Sequence, residues 1–222
     1  RQFCLGTPGL TGEVASRLAG SEDMYHSSGR KPYHSINFIT AHDGFPMMDL
    51  VSYNEKHNIA NGENNRDGGN DNFSSNFGVE GPTDNFEINF QRKKQIFNFI
   101  TLLMISQGTP MILAGDEFGR SQSGNNNVWC QDNELFWLDW SLLEKNRDIF
   151  NYWQQIIIFR KAHPILQREF FFTGEINQVS GIPDISWHNK RLNQPNFGHS
   201  TSTLAFLLDG NSLAGKVDDS LY

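Results

Sequence analysis

The stretch that sets the fold is a run of β-forming residues closed by a histidine, an aspartate and a glycine: Ser35-Ile36-Asn37-Phe38-Ile39-Thr40-Ala41-His42-Asp43-Gly44. Pro32 lies before the run and Gly44 ends it, so residues 35–41 are predicted to form a strand between two loops. Residues 11–18 are predicted to form a short helix before it. A helix followed by a strand indicates an α/β protein, with His42 and Asp43 where the strand passes into a loop.

A long polar loop is predicted after this strand, over residues 53–84. The segment is rich in Asn, Gly and Asp and nearly free of aliphatic side chains, which excludes it from a hydrophobic core. Three aromatic residues within it, Tyr53, Phe73 and Phe77, favour an ordered and functional loop over a disordered linker.

A long helix and a second strand are predicted after the loop. Residues 86–107 show helical spacing, with a polar first half and an apolar second half, so the second half should be buried. Gly108 and Pro110 end this helix. The short apolar run at residues 111–114 is typical of a parallel strand covered on both faces.

A second Asn-rich loop and another helix follow. The loop covers residues 121–133, and the helix runs from near residue 141 or 146 to residue 162. Ser141 and Glu144 have the spacing of a capping box, and the pair His163-Pro164 ends the helix.

The order strand, helix, strand, helix, with long loops after the strands, predicts an α/β fold of the (β/α)8 TIM-barrel type. A complete barrel has eight βα units and only about two are predicted here, so residues 1–165 are expected to be the carboxyl-terminal part of a barrel, about its last two βα units. β-like runs at 184–188 and 203–208 predict the start of an antiparallel β-domain, also incomplete, over residues 166–222.

Charge and composition exclude several classes of function. A formal net charge of -7 and a pI of about 5.4 argue against binding to nucleic acid or anionic lipid, so a neutral substrate fits better. No window approaches the roughly 18 apolar residues of a membrane helix. Cys4 and Cys130 have neither metal-ligand nor C-x-x-C spacing, so neither a disulfide framework nor a zinc site is expected. No other metal and no cofactor is predicted.

His42 and Asp43 are the first candidates for chemistry, because barrel enzymes place reactive groups where a strand emerges into a loop. An Asp there can accept hydrogen bonds from two sugar hydroxyls, and a neighbouring imidazole can donate another. The alternative is that His42 is a core histidine with satisfied hydrogen bonds and Asp43 a turn residue before Gly44. Spacing alone leaves both interpretations open.

Three further groups of side chains are candidates. Asp116 and Glu117 follow the second predicted strand and could face the same cleft, although spacing alone is better explained by a turn and a structural salt bridge. Polar residues of the long loop could line sugar subsites, as in any Asn-rich loop: Asn54, Lys56, His57, Glu63, Asn64 and Arg66. Tryptophans could stack on sugar faces, although half-buried packing is their commoner use: Trp129, Trp137 and Trp140.

Several long motifs occur together in this chain. They are Gly29-Arg30-Lys31-Pro32-Tyr33-His34 leading into residues 35–45, Tyr53-Asn54-Glu55-Lys56-His57-Asn58, residues 61–68, Ser106-Gln107-Gly108-Thr109-Pro110-Met111, Gly115-Asp116-Glu117, and Gly124-Asn125-Asn126-Asn127 with Cys130-Gln131-Asp132. Together they resemble the isoamylase-type glycogen and starch debranching enzymes of the α-amylase superfamily, glycoside hydrolase family 13. The resemblance is nearly continuous from about Gly6 to Pro164, and residues 35–44 match the seventh barrel strand.

The resemblance implies a retaining glycoside hydrolase that cuts α-1,6-glucosidic branch linkages. In this family one carboxylate attacks the anomeric carbon, a carboxylic acid protonates the leaving oxygen, and a third carboxylate stabilises the transition state. By motif, Asp43 matches the third residue and His42 the neighbouring sugar-binding histidine. The nucleophile Asp and the acid Glu lie on the fourth and fifth barrel strands of the family, which would precede Arg1, so residues 1–222 alone are expected to be inactive.

The resemblance implies that His42 binds substrate, and it also implies a partner. From their positions in the chain, Asn54, Lys56, His57 and Asp116 are added as expected substrate-binding residues. The expected partner is a branched α-glucan such as glycogen, amylopectin or limit dextrin, in the bacterial cytoplasm or, in a plant, the plastid; no oligomeric state is predicted. Pro46 departs from the family, which usually has Thr there, and it stiffens the exit from the catalytic strand. The preferred branch length is therefore left open.

Two other classes of function stay open at this point. One is a non-catalytic glucan-binding or scaffold subunit of an isoamylase complex, because some isoamylase relatives have lost catalytic residues; the presence of His42 and Asp43 argues against it. The other is a metal-dependent phosphohydrolase with a His-Asp pair as ligands. That site would need further His and Asp ligands, and no such motif accompanies His42 and Asp43.

Overall fold

The computed structural model describes residues 1–213 and 218–221. The helices are α1 (Thr11–Leu18), α2 (Glu22–Tyr25), α3 (Met47–Leu50), α4 (Phe86–Ile105), α5 (Leu142–Lys145) and α6 (Arg147–Ala162). The strands are β1 (Ile36–Asn37), β2 (Thr109–Pro110), β3 (Ile185–His188) and β4 (Ala205–Leu208). Short 3-10 turns and irregular loops connect them, so the chain is a mixed α/β protein, as the sequence predicts. Among these described residues, no helix combines the length and the hydropathy needed to cross a bilayer.

Backbone contacts group the chain into two compact units. The first contains Arg1–Leu5, Phe38–Leu103 and Met111–Ile156, and the second contains Gly6–Asn37, Met104–Pro110 and Ile157–Tyr222. Residues 166–222 thus share a unit with an amino-terminal segment and with the short segment after α4. The predicted domain boundary at residue 165 stays a prediction.

Helix α4 supplies much of the core of the first unit. Apolar side chains one helical turn apart bury one of its faces: Ile96, Phe99, Ile100 and Leu103. Each such side chain contributes about 1.5–3 kcal/mol by leaving water. Asn85 caps the first turn, because its side-chain oxygen accepts a hydrogen bond from the N–H of Ile88 at 3.2 Å. The helix predicted over residues 86–107 is confirmed, and it ends two residues earlier.

The helix predicted to end at residue 162 is confirmed with its later predicted start near residue 146: α6 begins at Arg147, and α5 is a separate helix before it. At Asn146 the backbone leaves the helical region, with φ -113° and ψ 37°, and the side chain donates to the carbonyl of Phe118 at 3.0 Å. Asparagine favours such local hydrogen bonds over a place inside a helix. The predicted capping box is wrong, because the hydroxyl of Ser141 donates to Asp139 at 2.6 Å instead.

Strands β1 and β2 form a short parallel pair in the second unit, with Ile36 opposite Thr109. Gly108 allows this approach, because its φ is +109° and a Cβ there would stand 2.7 Å from the carbonyl oxygen of Ser35. Pro110 has no N–H, so it cannot donate the next hydrogen bond of the ladder.

The strand predicted over residues 35–41 is shorter than predicted, because it covers Ile36–Asn37. The strand predicted over residues 111–114 is wrong: its place is taken by Thr109–Pro110, and residues 111–114 have no strand partner among the described residues. Met111 and Ile112 are exposed, rather than covered on both faces. An apolar run becomes a strand only where a neighbouring strand accepts its ladder of hydrogen bonds.

A buried arginine fixes the backbone that follows α4 in the second unit. The guanidinium of Arg160 donates to the carbonyls of Met104 at 2.6 Å, Ser106 at 2.8 Å and Gly108 at 2.7 Å. The last carbonyls of a helix have no partner within the helix, and charge-assisted hydrogen bonds satisfy them here. The turn between α4 and β2 is therefore set by a side chain as well as by Gly108.

Strands β3 and β4 form an antiparallel pair in which Ile185 lies opposite Leu208 and His188 opposite Ala205. Ile185 and Leu208 of this pair belong to an apolar cluster of buried side chains, together with Ile165, Leu166 and Phe172. The β-like runs predicted at residues 184–188 and 203–208 are confirmed.

Candidate active site

His42 and Asp43 lie on an open turn of the first unit. Their side chains are 89% and 85% exposed, and Nε2 of His42 lies 3.6 Å from Oδ2 of Asp43. The interpretation of His42 as a core histidine is therefore wrong. Gly44 has φ +99°, and its N–H donates to the carbonyl of Asn126 at 3.0 Å, which fixes the backbone directly after the pair. Both side chains are free to meet a ligand from solvent.

The carboxylate of Asp116 fixes the chain on both sides of that turn. One oxygen accepts a hydrogen bond from the hydroxyl of Thr40, and the other accepts one from the N–H of Met47 at 2.8 Å. Burial raises the pKa of Asp116 to about 7, although both hydrogen bonds act to lower it. Both oxygens are bonded inside the protein and the side chain is buried, and the assignment of Asp116 to substrate binding stays a prediction.

A second buried carboxylate, Asp49 of α3, anchors the Asn-rich loop that follows residue 120. It accepts hydrogen bonds from the hydroxyl of Ser121 at 2.5 Å and from the N–H groups of Gln122 at 2.9 Å and Gly124 at 3.1 Å. Burial raises the pKa of Asp49 to about 6 against the effect of these donors. The end of α3 and this loop are thereby joined.

Side-chain amides order the long loop of residues 53–84. Asn58 accepts a hydrogen bond from the N–H of Asn126 at 2.9 Å and donates to its side-chain oxygen at 2.8 Å. The amide of Asn126 in turn donates to Asn72 at 2.7 Å. Asp67 accepts further hydrogen bonds from Asn61 at 2.7 Å and Asn127 at 3.0 Å. Such a connected set of buried amides specifies one loop conformation, and the predicted ordered loop is confirmed.

The three loop residues predicted to bind sugar lie in one turn of this loop. Asn54 accepts a hydrogen bond from the N–H of Asn76 at 2.8 Å, and the ammonium of Lys56 donates to the carbonyl of Asp67 at 2.7 Å. The ring of His57 is 48% exposed, and its Nε2 lies 3.0 Å from an oxygen of Glu80. Their assignment to substrate binding stays a prediction.

One short backbone segment contacts both groups of candidate residues. The carbonyl of Asn126 accepts from Gly44, next to Asp43, and the carbonyl of Gly124 accepts from the N–H of His57 at 2.7 Å. The structure therefore ties the His42-Asp43 turn and the turn of residues 54–57 to the same loop, which sequence spacing did not show.

The predicted tryptophans are on the surface. Trp129 is 76% exposed, so the packing interpretation is wrong for this residue, and Trp137 and Trp140 are also exposed. Trp137 donates from its indole N–H to Asp132 at 3.0 Å, and Trp140 lies against Phe118 with ring centroids 5.2 Å apart. These contacts leave much of each ring in solvent.

Residues 1–213 and 218–221 contain no cluster of three or more His, Cys, Asp or Glu side chains arranged to hold a metal ion. The phosphohydrolase alternative requires such a cluster around His42 and Asp43. The described residues therefore give that alternative no support.

Five residues that hold the loops in place were not predicted from the sequence: Asp49, Asn58, Glu80, Arg92 and Asn126. Asn58 and Asn126 lie within the quoted motifs, so the motifs could have indicated that the two loops are paired. Nothing in the sequence indicated the contacts of Glu80, because a glutamate in a polar loop is ordinarily a solvated charge.

No family model matches the chain. The chain is 55% identical to the glycogen operon protein GlgX homolog of Mycobacterium tuberculosis (strain ATCC 25618 / H37Rv). The alignment is 232 positions long and covers 99% of the chain and 32% of that relative. It is 44% identical to the glycogen debranching enzyme of Erwinia tasmaniensis, over 88% of the chain and 29% of that protein. The chain belongs to the GlgX and isoamylase family of debranching enzymes. It spans about a third of the length of these relatives.

The plant members of the family give the same result. Isoamylase 1, chloroplastic, of Arabidopsis thaliana is 43% identical over 100% of the chain and 27% of its own length. Among solved structures, a pullulanase from Paenibacillus barengoltzii complexed with maltotetraose covers 95% of the chain at a TM-score of 0.64 and 21% identity, and 26% of that pullulanase is matched. Pullulanase from Bacillus acidopullulyticus covers 94% at a TM-score of 0.63. These likenesses show that the mixed α/β fold matches part of the pullulanase fold.

Proposed function

We propose that this chain supplies the transition-state-stabilising part of the active site of a debranching hydrolase, which cuts α-1,6-glucosidic branch linkages in glycogen or starch. The single observation that carries the proposal is the open, anchored His42-Asp43 turn in a chain 55% identical to a GlgX homolog. The expected partner is a branched α-glucan, and the cell compartment is the bacterial cytoplasm, or a plastid if the source is a plant.

The proposed chemistry is hydrolysis with retention of anomeric configuration, through a covalent glycosyl-enzyme. Asp43 accepts hydrogen bonds from two hydroxyls of the sugar ring, and these strengthen as positive charge develops on the ring in the oxocarbenium-like transition state. His42 donates a further hydrogen bond to the same sugar. Asp43 is thus a stabiliser of the transition state and not the nucleophile.

We also propose that β1, α4 and β2 are part of a (β/α)8 barrel. A parallel strand pair joined by a helix is the repeating unit of that fold, and the likeness to pullulanase structures supports it. No motif of residues 1–222 matches the nucleophile and acid of the family. Residues 1–222 by themselves are therefore expected not to hydrolyse glucan, and release of reducing ends by this stretch alone would contradict that expectation.

The test uses the natural protein that contains these residues. Wild type should release reducing ends from amylopectin, and linkage analysis should show loss of α-1,6 bonds. Asp43→Asn should lower kcat about a hundredfold to a thousandfold, because one preorganised transition-state contact is lost. Asp84→Asn is the matched control, since Asp84 is an exposed loop residue whose removal should leave turnover unchanged.

Three results would refute the proposal. A wild-type protein that binds amylopectin but releases no reducing ends would point to a non-catalytic subunit. Turnover of Asp43→Asn near the wild-type rate would remove Asp43 from the mechanism. An initial product with inverted anomeric configuration, seen by proton NMR, would exclude the retaining route.

A further inference from the structure

The carboxylate of Glu80 collects hydrogen bonds from the turn that contains Asn54 and His57. It accepts from the N–H of Asn54 at 2.9 and 3.1 Å, from the N–H of Glu55 at 3.2 Å and from the amide of Asn76 at 2.8 Å. Nε2 of His57 lies 3.0 Å from Oε1. One side chain, 23 residues further along the chain than His57, thus fixes both the backbone and an imidazole of the predicted sugar-binding turn.

Glu80 is itself held in position. Arg92 of α4 is buried, and its guanidinium donates to the carbonyl of Gly81 at 2.8 Å and to that of Asn76 at 2.8 Å. The backbone on either side of Glu80 is therefore fixed by a helix of the core. Rigid support of this kind allows a carboxylate to orient another side chain.

The charge state of Glu80 decides which nitrogen of His57 carries a proton. Burial acts to raise the pKa of Glu80, but hydrogen bonds from Asn54, His57 and Asn76 outweigh it and lower the pKa to about 2. An ionised carboxylate can only accept, so Nε2 of His57 is the donor in this pair. Nδ1 makes no hydrogen bond to the described part of the chain, and in the neutral ring it is an acceptor.

We propose that Glu80 is a positioning residue for substrate binding: it holds His57 in the tautomer protonated at Nε2, so that Nδ1 accepts a hydrogen bond from a glucose hydroxyl of the glucan. This inference rests on the proposed function, and it assigns to His57 the role of acceptor rather than donor. Glu80 acts through His57 and the turn of residues 54–57, and it touches no reacting atom.

The first test is spectroscopic and requires no variant at Glu80. The natural protein that contains these residues is labelled with 15N in its histidine rings, and the His57 signals are assigned as those lost in His57→Asn. The neutral ring should be protonated at Nε2, and saturating maltohexaose should shift the Nδ1 resonance. A ring protonated at Nδ1, or an Nδ1 resonance that maltohexaose leaves unchanged, would overturn the proposal.

The second test separates binding from turnover. Glu80→Ala should raise KM for amylopectin about tenfold, the effect of one oriented hydrogen bond, while kcat changes less than about twofold. Glu80→Gln should restore most of the wild-type KM, because its amide oxygen can take the place of Oε1 as acceptor. Glu87→Ala removes the same charge from an exposed position on the first turn of α4 and should leave KM unchanged.

The outcomes distinguish this inference from the function on which it rests. A wild-type protein without debranching activity refutes the proposed function, whereas the ring spectrum still reports the tautomer of His57. An active Glu80→Ala protein with wild-type KM overturns the role of Glu80 alone. Equal losses of kcat in Glu80→Ala and Glu80→Gln would do the same, because they would show an effect on the reacting atoms.

Discussion

Asp116 and Met47 are joined by a hydrogen bond of 2.8 Å between a buried carboxylate and a backbone N–H. The same carboxylate accepts from the hydroxyl of Thr40, so one interior side chain spans the chain segment that carries His42 and Asp43. The position of the exposed pair therefore depends on a group that no ligand needs to touch. Packing and polar satisfaction inside the protein set the geometry that the proposed chemistry uses.

Removal of the Asp116 carboxylate should destabilise the chain. Asp116→Ala leaves the hydroxyl of Thr40 and the N–H of Met47 buried without an acceptor, which should lower the free energy of unfolding by about 3 kcal/mol. Asp116→Asn keeps an acceptor for Met47 and should cost less than about 1 kcal/mol. Urea unfolding followed by tryptophan fluorescence measures both. Equal losses in the two variants would show that hydrogen bonding at this position is not what stabilises the turn.

The raised pKa of Asp116 should appear as a pH dependence of stability. Its pKa is about 7 in the folded chain and 3.8 in the unfolded one, so the folded state holds a proton that the unfolded state has released. The stability contributed by this group is complete below pH 3.8 and is lost as pH rises towards 7. Asp49 acts in the same direction, with a pKa of about 6.

Comparison with a variant isolates this effect from the other titrating groups. Between pH 5 and pH 7.5, wild type should lose about 2 kcal/mol more of its unfolding free energy than Asp116→Asn. Urea unfolding at both pH values measures the difference. Parallel pH profiles for the two proteins would mean that Asp116 is ionised in the folded state throughout this range.

The paired amides of Asn58 and Asn126 should control the order of the long loop. Asn126→Asp has the same shape, but it loses the amide donor to Asn72, so it should destabilise the chain by about 2 kcal/mol. Limited proteolysis should then cut residues 53–84 faster than in wild type. Asn70→Asp is the matched control, an exposed residue of the same loop. If both variants resist protease as wild type does, the amide network does not order the loop.

Gly108 should tolerate no side chain. In Gly108→Ala the new Cβ meets the carbonyl oxygen of Ser35 at 2.7 Å, at a φ of +109°, so about 2–3 kcal/mol of stability should be lost. Gly69→Ala places a Cβ in open space and should be neutral within about 0.5 kcal/mol. Thermal unfolding of the two variants gives the comparison. A Gly108→Ala protein as stable as Gly69→Ala would show that the β1 and β2 segments move apart at little cost.

Local patterns were sufficient for the elements whose stability is local. Helix α4 follows from the spacing of Ile96, Phe99 and Leu103, and the loop of residues 53–84 follows from its polar composition. The strand lengths could not be predicted in this way, because a strand ends where its partner stops donating, and Pro110 is in that partner. Periodicity within a segment carries no information about the neighbour.

In the candidate site, too, local features can be predicted from the sequence and long-range contacts cannot. The place of His42 and Asp43 after a β-like run left a core histidine and an exposed pair both open, and the structure shows that they lie on an open turn. The burial of Asp116 and the contacts of Glu80 depend on residues 23 to 76 positions away, such as His57 and Thr40. Pairings at that separation are invisible to spacing rules, and an acidic residue next to a turn looks the same whether it is buried or solvated.

The segment whose carbonyls bind Gly44 and His57 has a consequence for loop grafting. A donor loop that replaces residues 53–84 brings its own side chains, but its register is set by the carbonyl of Gly124 and the side-chain oxygen of Asn126 in the recipient. Moving that loop alone separates it from the residues that set its register. An exchange of this loop between relatives therefore requires residues 121–133 to be moved with it as one cassette.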